Sequence, residues 1–157
     1  MRISLLRHGI AEDFAATDFD RELTQEGWTQ LENVLDALIA TGWAPGTILH
    51  SPLIRTTQTA ASVHARFPHI PCVALDALAL GSVDPILMGA SRHPDPLLVG
   101  HEPTLGNLCG RLLGAPTGAI RFERAGFAHL EVDRLPTTRP ARLLAFLPPE
   151  WIQAGSG

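Results

Sequence analysis

Two arginines and two histidines stand where short apolar runs end: Arg7 and His8 in RISLLRHG, Arg55 in GTILHSPLIR and His101 in DPLLVGHEP. No cysteine accompanies them, and Glu102 is the one carboxylate inside the strand-end motifs RHG, SPLIR and GHEP. Guanidinium groups are rigid forks of donors that match phosphate oxygens, and two of them in one pocket repel each other unless an anion lies between. The guest that suits this set is a phosphoryl group. A neutral imidazole in the same pocket is a competent nucleophile near pH 7 and can carry the group covalently. A second, protonated histidine would donate to an equatorial oxygen as charge builds in the transition state. Each residue alone has a plainer reading: His8 as a structural histidine, Arg55 as a solvated helix residue, His101 with Glu102 as a hydrogen-bonded turn. Their joint occurrence at strand ends favours a site.

The elements that must position them follow from hydrophobic spacing. Ile3, Leu5 and Leu6 form a short buried strand that stops at Gly9, and residues 10–22 show no period and read as a loop. Leu31, Val34, Leu35, Leu38 and Ile39 then recur at helical spacing, with Thr24 as cap and Gly42 as stop. GTILHSP is a second strand. LIRTTQTAASVHARF is a helix with Ile54, Ala61 and Val63 among its apolar positions and Pro68 beyond its end. IPCVALDALA reads as a third strand with an irregular connection, VDPILMGASR as a short helix, DPLLVGHEP as a fourth strand, and TLGNLCGRLLG as a helix closed by glycine. GFAHLEVD and RLLAFLP alternate like a neighbouring, half-exposed pair of strands. This alternation predicts an α/β fold with a largely parallel sheet and an antiparallel edge, whose ligand site lies along the carboxyl ends of the strands.

Composition bounds the partners. The chain has 157 residues, enough for one domain with a proper core, and 45% of them are apolar against 18% charged. Net charge is −4 and all 12 basic residues are arginines, so neither nucleic acid nor an anionic membrane is an expected partner. Neither a leader-like apolar segment at the start nor a run of about 18 apolar residues occurs, so a cytoplasmic location is expected. Cys72 and Cys109 are far apart and outside any CxxC pair; two reduced, buried thiols are expected.

RHG after the first strand, SPLIRTTQTA after the second and GHEP after a later one resemble the signatures of the histidine phosphatase (phosphoglycerate-mutase-like) superfamily, over almost the whole chain. Short length, the DRELTQEG segment and LLVGHEPTLG are most similar to the SixA-type phosphohistidine phosphatases. The resemblance implies a three-layer α/β/α sandwich spanning residues 1–157 with no cap domain, and a flexible tail is expected from about residue 151. It implies His8 as the phosphoryl-accepting nucleophile, Arg7, Arg55 and His101 as its phosphate pocket, and neither metal nor cofactor.

Arg21, in DRELT, is placed by the resemblance either at the pocket border, touching substrate, or in a loop-to-helix salt bridge. Many superfamily members carry a general acid after the third strand; here that region offers Asp76 and Asp84 but no glutamate. A more distant branch puts the acid directly after the second histidine, the place of Glu102. Asp84 reads equally well as a helix cap. An imidazole leaving group needs less protonation than an alkoxide, so the missing acid favours a phosphohistidine substrate on a partner protein, either a phosphotransfer domain or a phosphocarrier. The alternatives are a phosphatase for a small phosphate ester and a non-catalytic phosphate-binding regulatory module.

Overall fold

A six-stranded sheet in the order β3-β2-β4-β1-β5-β6 organises the computed structural model, which describes residues 1–153. The strands are β1 (Arg2–Arg7), β2 (Thr47–His50), β3 (Cys72–Ala74), β4 (Pro96–Gly100), β5 (Phe127–Glu131) and β6 (Arg142–Leu147). The first four run parallel, while β5 and β6 run antiparallel at one edge. The expected layering and the antiparallel edge are both present.

Alternation along the strands builds two cores. Ile3 and Leu5 of β1, Leu49 of β2 and Leu98 of β4 face one side, where they pack with Leu105, Leu108 and Leu112 of helix α5 (Thr104–Leu113) and Ile86 of α4 (Val83–Ala90). Leu6, Ile48, Leu97 and Val99 face the other, against Leu31, Val34, Leu35 and Leu38 of α1 (Gln25–Ala40) and Ala60 and Val63 of α2 (Ile54–Arg66). A parallel strand covered on both faces must be apolar at successive positions, which is why RISLLR and PLLVG read as continuous runs.

Helix α1 starts where the Thr24 hydroxyl accepts the Gly27 amide at 3.0 Å, and it stops before Gly42, whose φ is +87°. Gly27 is fixed by crowding: a Cβ there would lie 2.1 Å from the Ile10 carbonyl oxygen. A Cβ on Gly9 would in turn lie 3.1 Å from the Gly27 carbonyl oxygen. The turn after the first strand is thus wedged by backbone against the first turn of α1, and no side chain fits between them.

Three expectations are corrected. The buried face of α2 uses Ala60 and not Ala61, which is exposed, while Ile54 is half-buried. The connection after β3 contains a short helix, α3 (Ala77–Leu80), anchored by the fully buried Leu78. The chain does not fray at residue 151: Pro149–Gln153 form α6, and Ile152 is buried against the α1 face of the sheet. The rest of the expected tail, residues 154–157, lies outside the described residues. Both cysteines are unpaired, although Cys72 is only half-buried. Among the described residues no helix is long and apolar enough to cross a membrane.

Candidate active site

The carboxyl ends of β1, β2 and β4 lie side by side, and backbone hydrogen bonds tie their continuations together. The His8 amide donates to the Gly100 carbonyl at 3.1 Å, the Ser51 amide to the Val99 carbonyl at 3.0 Å, and the Ala125 amide to the His8 carbonyl at 3.0 Å. His8 is therefore pinned by β4 on one side and by the turn leading into β5 on the other before its side chain makes any contact. Its Nδ1 lies 2.7 Å from the Gly9 carbonyl oxygen. A carbonyl only accepts, so Nδ1 carries the proton and the lone pair sits on Nε2. Burial, helped by the positive field of Arg55 and Arg7, pushes the His8 pKa down to about 3. The ring is neutral and oriented.

His101 faces it, with ring centroids 5.4 Å apart and planes tilted by 57°. Its Nε2 is 2.7 Å from the Ser51 hydroxyl, while its Nδ1 is buried without a partner. Burial first, and then Arg55, hold its pKa down at about 4.

The two arginines are anchored at their tips. Arg7 Nη1 donates to the Phe122 carbonyl at 2.7 Å. Arg55 Nη1 donates to the Asp18 carbonyl at 2.8 Å, and its Nη2 meets the Asp18 carboxylate at 3.2 Å. The Nε of each is buried and unpartnered. Arg55, expected on its own to be solvated, is 7% exposed. Two buried guanidinium donors and one buried imidazole nitrogen beside neutral His8 thus lack a partner, and leaving such groups unsatisfied is costly. A tetrahedral oxyanion offers acceptors in several directions at once.

The structure brings Arg7, His8, Arg55 and His101 together, sets Arg21 and Glu102 against the two arginines through Asp18 and Phe122, and leaves Asp84 exposed. Arg21 does not join an α1 residue: its Nε donates to the Glu12 carbonyl at 2.6 Å and its Nη1 to Asp18 at 2.9 Å, within the same loop. Asp18, on the 3-10 turn Asp18–Asp20, bridges Arg21 to Arg55 and so couples this loop to the pocket. Glu12 and Asp13 are exposed. Asp84 is not the cap: Ser82 precedes the first turn of α4, and the exposed Asp84 pairs with Arg111 at 2.9 Å. Asp76 precedes α3 and makes no side-chain capping bond.

Glu102 is committed to backbone. One carboxylate oxygen accepts the amides of Gly106 at 2.9 Å and Phe122 at 3.1 Å, and the Phe122 carbonyl on the other side of that residue receives Arg7. Burial raises the Glu102 pKa, opposed by those two amides and by Arg7. With Arg7, Asn107, Arg121 and Phe122 it lines a cleft of about 490 Å³. Glu102→Ala would orphan two amides and is expected to cost about 2–4 kcal/mol of stability and to weaken phosphate binding through Arg7. Glu102→Gln keeps an acceptor oxygen and is expected to stay within about 1 kcal/mol. Thermal melts and phosphate titrations of the two variants check this.

Sequence reasoning missed Asp18, Ser51 and the Phe122 carbonyl. Among the described residues no group of three or more histidine, cysteine or acidic side chains is arranged to hold a metal ion.

A doubly covered parallel sheet with two histidines and two arginines at its carboxyl edge defines a phosphoryl-handling protein, and the sequence model of the histidine phosphatase superfamily (branch 1) matches residues 3–79. The chain belongs to that superfamily. Within it, it is most like the SixA phosphohistidine phosphatases. A candidate phosphohistidine phosphatase SixA from Agrobacterium tumefaciens is 27% identical, with 94% of this chain and 97% of that one covered and a TM-score of 0.75. The protein histidine phosphatase SixA complexed with tungstate shares the fold at 23% identity, with coverage of 97% and 99% and a TM-score of 0.85. An uncharacterized protein of Picosynechococcus sp. is 34% identical over 97% of this chain and 99% of its own length. The fold alone is also shared with the alpha-ribazole phosphatase from Shigella flexneri, at 17% identity, coverage of 95% and 97%, and a TM-score of 0.75.

Proposed function

We propose that this chain is a phosphohistidine phosphatase that acts in the cytoplasm on a phosphorylated partner protein of a signalling or phosphocarrier system. The observation that carries the reading is a neutral His8, its lone pair on Nε2, set among the unpartnered Nε of Arg7 and of Arg55 and the unpartnered Nδ1 of His101, while Asp84 is paired with Arg111 and Glu102 with backbone amides. His8 Nε2 attacks phosphorus while the substrate imidazole, protonated beforehand on its distal nitrogen, keeps the electron pair of the breaking P–N bond and leaves as a neutral ring, with no proton needed from the protein. Water then attacks the phosphorus on His8, and the His8 P–N bond breaks to release inorganic phosphate. Arg7, Arg55 and His101 hold the equatorial oxygens throughout. Unpaired cysteines, with the Cys109 thiol pushed up to about 12 by burial, agree with a reducing compartment.

A second reading, hydrolysis of a small phosphate ester, draws on the cleft beside Arg7, which could seat the non-phosphate part of such a molecule. Phosphate release from a phosphohistidine-bearing phosphocarrier, measured beside a panel of phosphate esters, separates the two. A preference of roughly a hundredfold or more in kcat/KM for the phosphoprotein is expected, the size of a binding difference of about 3 kcal/mol. The reverse order would make it an ester phosphatase. An ester whose rate collapses in Glu102→Gln would identify Glu102 as a proton donor.

A further inference from the structure

His101 poses a problem for any phosphoryl pocket that needs it as a donor. Burial and then the Arg55, Arg7 and Arg21 guanidinium groups disfavour its protonated form, Asp18 favours it, neutral His8 faces it, and a neutral imidazole has a single N–H to offer. Which nitrogen carries that proton decides whether the ring helps or repels an incoming phosphoryl oxygen.

Ser51 supplies the answer. It follows β2, is fully buried, and its hydroxyl oxygen lies 2.7 Å from His101 Nε2. That oxygen also faces the Leu53 amide at 3.5 Å, an amide that can only donate to it. With a donor already directed at the oxygen, the hydroxyl proton is free to go to an acceptor, and His101 Nε2 is the acceptor within reach. We propose that the Ser51 hydroxyl donates to His101 Nε2 and thereby holds the ring as its Nδ1–H tautomer, so that neutral His101 donates from Nδ1 to the phosphoryl group. The buried Nδ1 that lacks any protein partner is the donor this arrangement leaves for the ligand. Ser51 is a positioning residue: it touches the imidazole and not the substrate. The same logic, a hydrogen bond at one ring nitrogen fixing the role of the other, governs histidines in catalytic and metal sites generally.

This inference rests on the phosphoryl-transfer reading of the site, and its test is chosen to fail separately. Nitrogen-15 NMR of the histidine side chains at pH 7 is expected to show His101 protonated on Nδ1 and bare on Nε2 in the wild-type protein. Ser51→Ala is expected to shift that resonance pair toward the opposite tautomer. It should also lower kcat roughly ten- to a hundredfold with a smaller change in KM, less than the loss of a whole donor. Ser51→Cys, with a similar volume and a weak donor, is expected to recover part of the rate. A wild-type His101 protonated on Nε2, donating toward Ser51, would overturn the proposal even if both variants failed to fold, as would an unchanged rate in a folded Ser51→Ala. If the wild-type protein released phosphate from no substrate, the enzymatic reading would fall, while the NMR result would still decide the tautomer.

Discussion

Replacing His8 by alanine is expected to reduce phosphate release by roughly 10⁴-fold or more, the scale seen when a covalent nucleophile is removed from a preorganised site. Incubating the wild-type protein with radiolabelled phosphohistidine substrate should trap label on the chain in an acid-labile, alkali-stable form, as a phosphoramidate requires. His8→Ala should trap none. The assignment to His8 over His101 follows from geometry: the Gly9 carbonyl occupies His8 Nδ1 and leaves Nε2 with its lone pair, whereas His101 Nε2 is taken by Ser51. Phosphate binding separates nucleophile from pocket. Arg7 and Arg55 are anchored by Phe122 and Asp18 and make no hydrogen bond to His8, so phosphate affinity in His8→Ala should change only a few-fold, because its donors remain. Equal phosphate release by wild type and variant would place the nucleophile elsewhere. Equal binding without turnover is the expected pattern, and it distinguishes an enzyme from a module that only docks phosphoproteins.

Why so much of this pocket is legible in the sequence, and why the rest is not, is a matter of which contacts leave a trace in residue type. RISLLR and PLLVG are apolar at successive positions because both faces of a parallel sheet are covered, and the polar residues next in the chain after each run fall at the ligand-binding edge. That pattern points to His8, just after Arg7, and to His101, while Arg55 lies in the first turn of α2, five residues beyond the end of β2. The pattern does not place Asp18, which sits in an aperiodic loop with its side chain largely exposed, and only the fold shows that it grips Arg55. The anchors of Arg7 and His8 are backbone carbonyls, which carry no sequence signature at all. Asp84 resembles a cap because it precedes an apolar run, yet the helix begins one residue earlier and Arg111 meets it from α5. Ala61 misses the buried face by one position, about 100° around a helix, which is enough to move a residue into solvent. Ser51 stands in plain view in SPLIR, but its value lies in the nitrogen it faces, a contact between two strand ends.

The same crowding of cationic groups predicts that the pocket destabilises the protein in mild acid. His8 and His101 have folded pKa values of about 3 and about 4, and burial also lowers that of His129. In the unfolded chain each should titrate near ~6.5. Between those values the unfolded state binds more protons than the folded one, so stability falls as pH falls, by up to about 1.4 kcal/mol per pH unit for each histidine. Above ~pH 7 all are neutral in both states and the term vanishes. Glu102, whose pKa is raised, acts in the opposite sense as it protonates, and Asp18, whose pKa Arg21 and Arg55 lower, adds its own loss only at more acid pH. Denaturation midpoints are therefore expected to drop steeply between ~pH 6.5 and ~pH 4.5, and less steeply in His8→Ala. Toward ~pH 5 a bound dianion offsets that loss at His101, because its negative charge favours the imidazolium there, whereas near ~pH 7 the ring stays the neutral Nδ1–H donor. Sulfate, which stays dianionic throughout this range, should stabilise the protein more at ~pH 5 than at ~pH 7 by binding linkage. In His101→Ala that growth should disappear, leaving only the general salting effect. A sulfate stabilisation that grows equally in wild type and variant would show that His101 takes up no proton when the pocket fills.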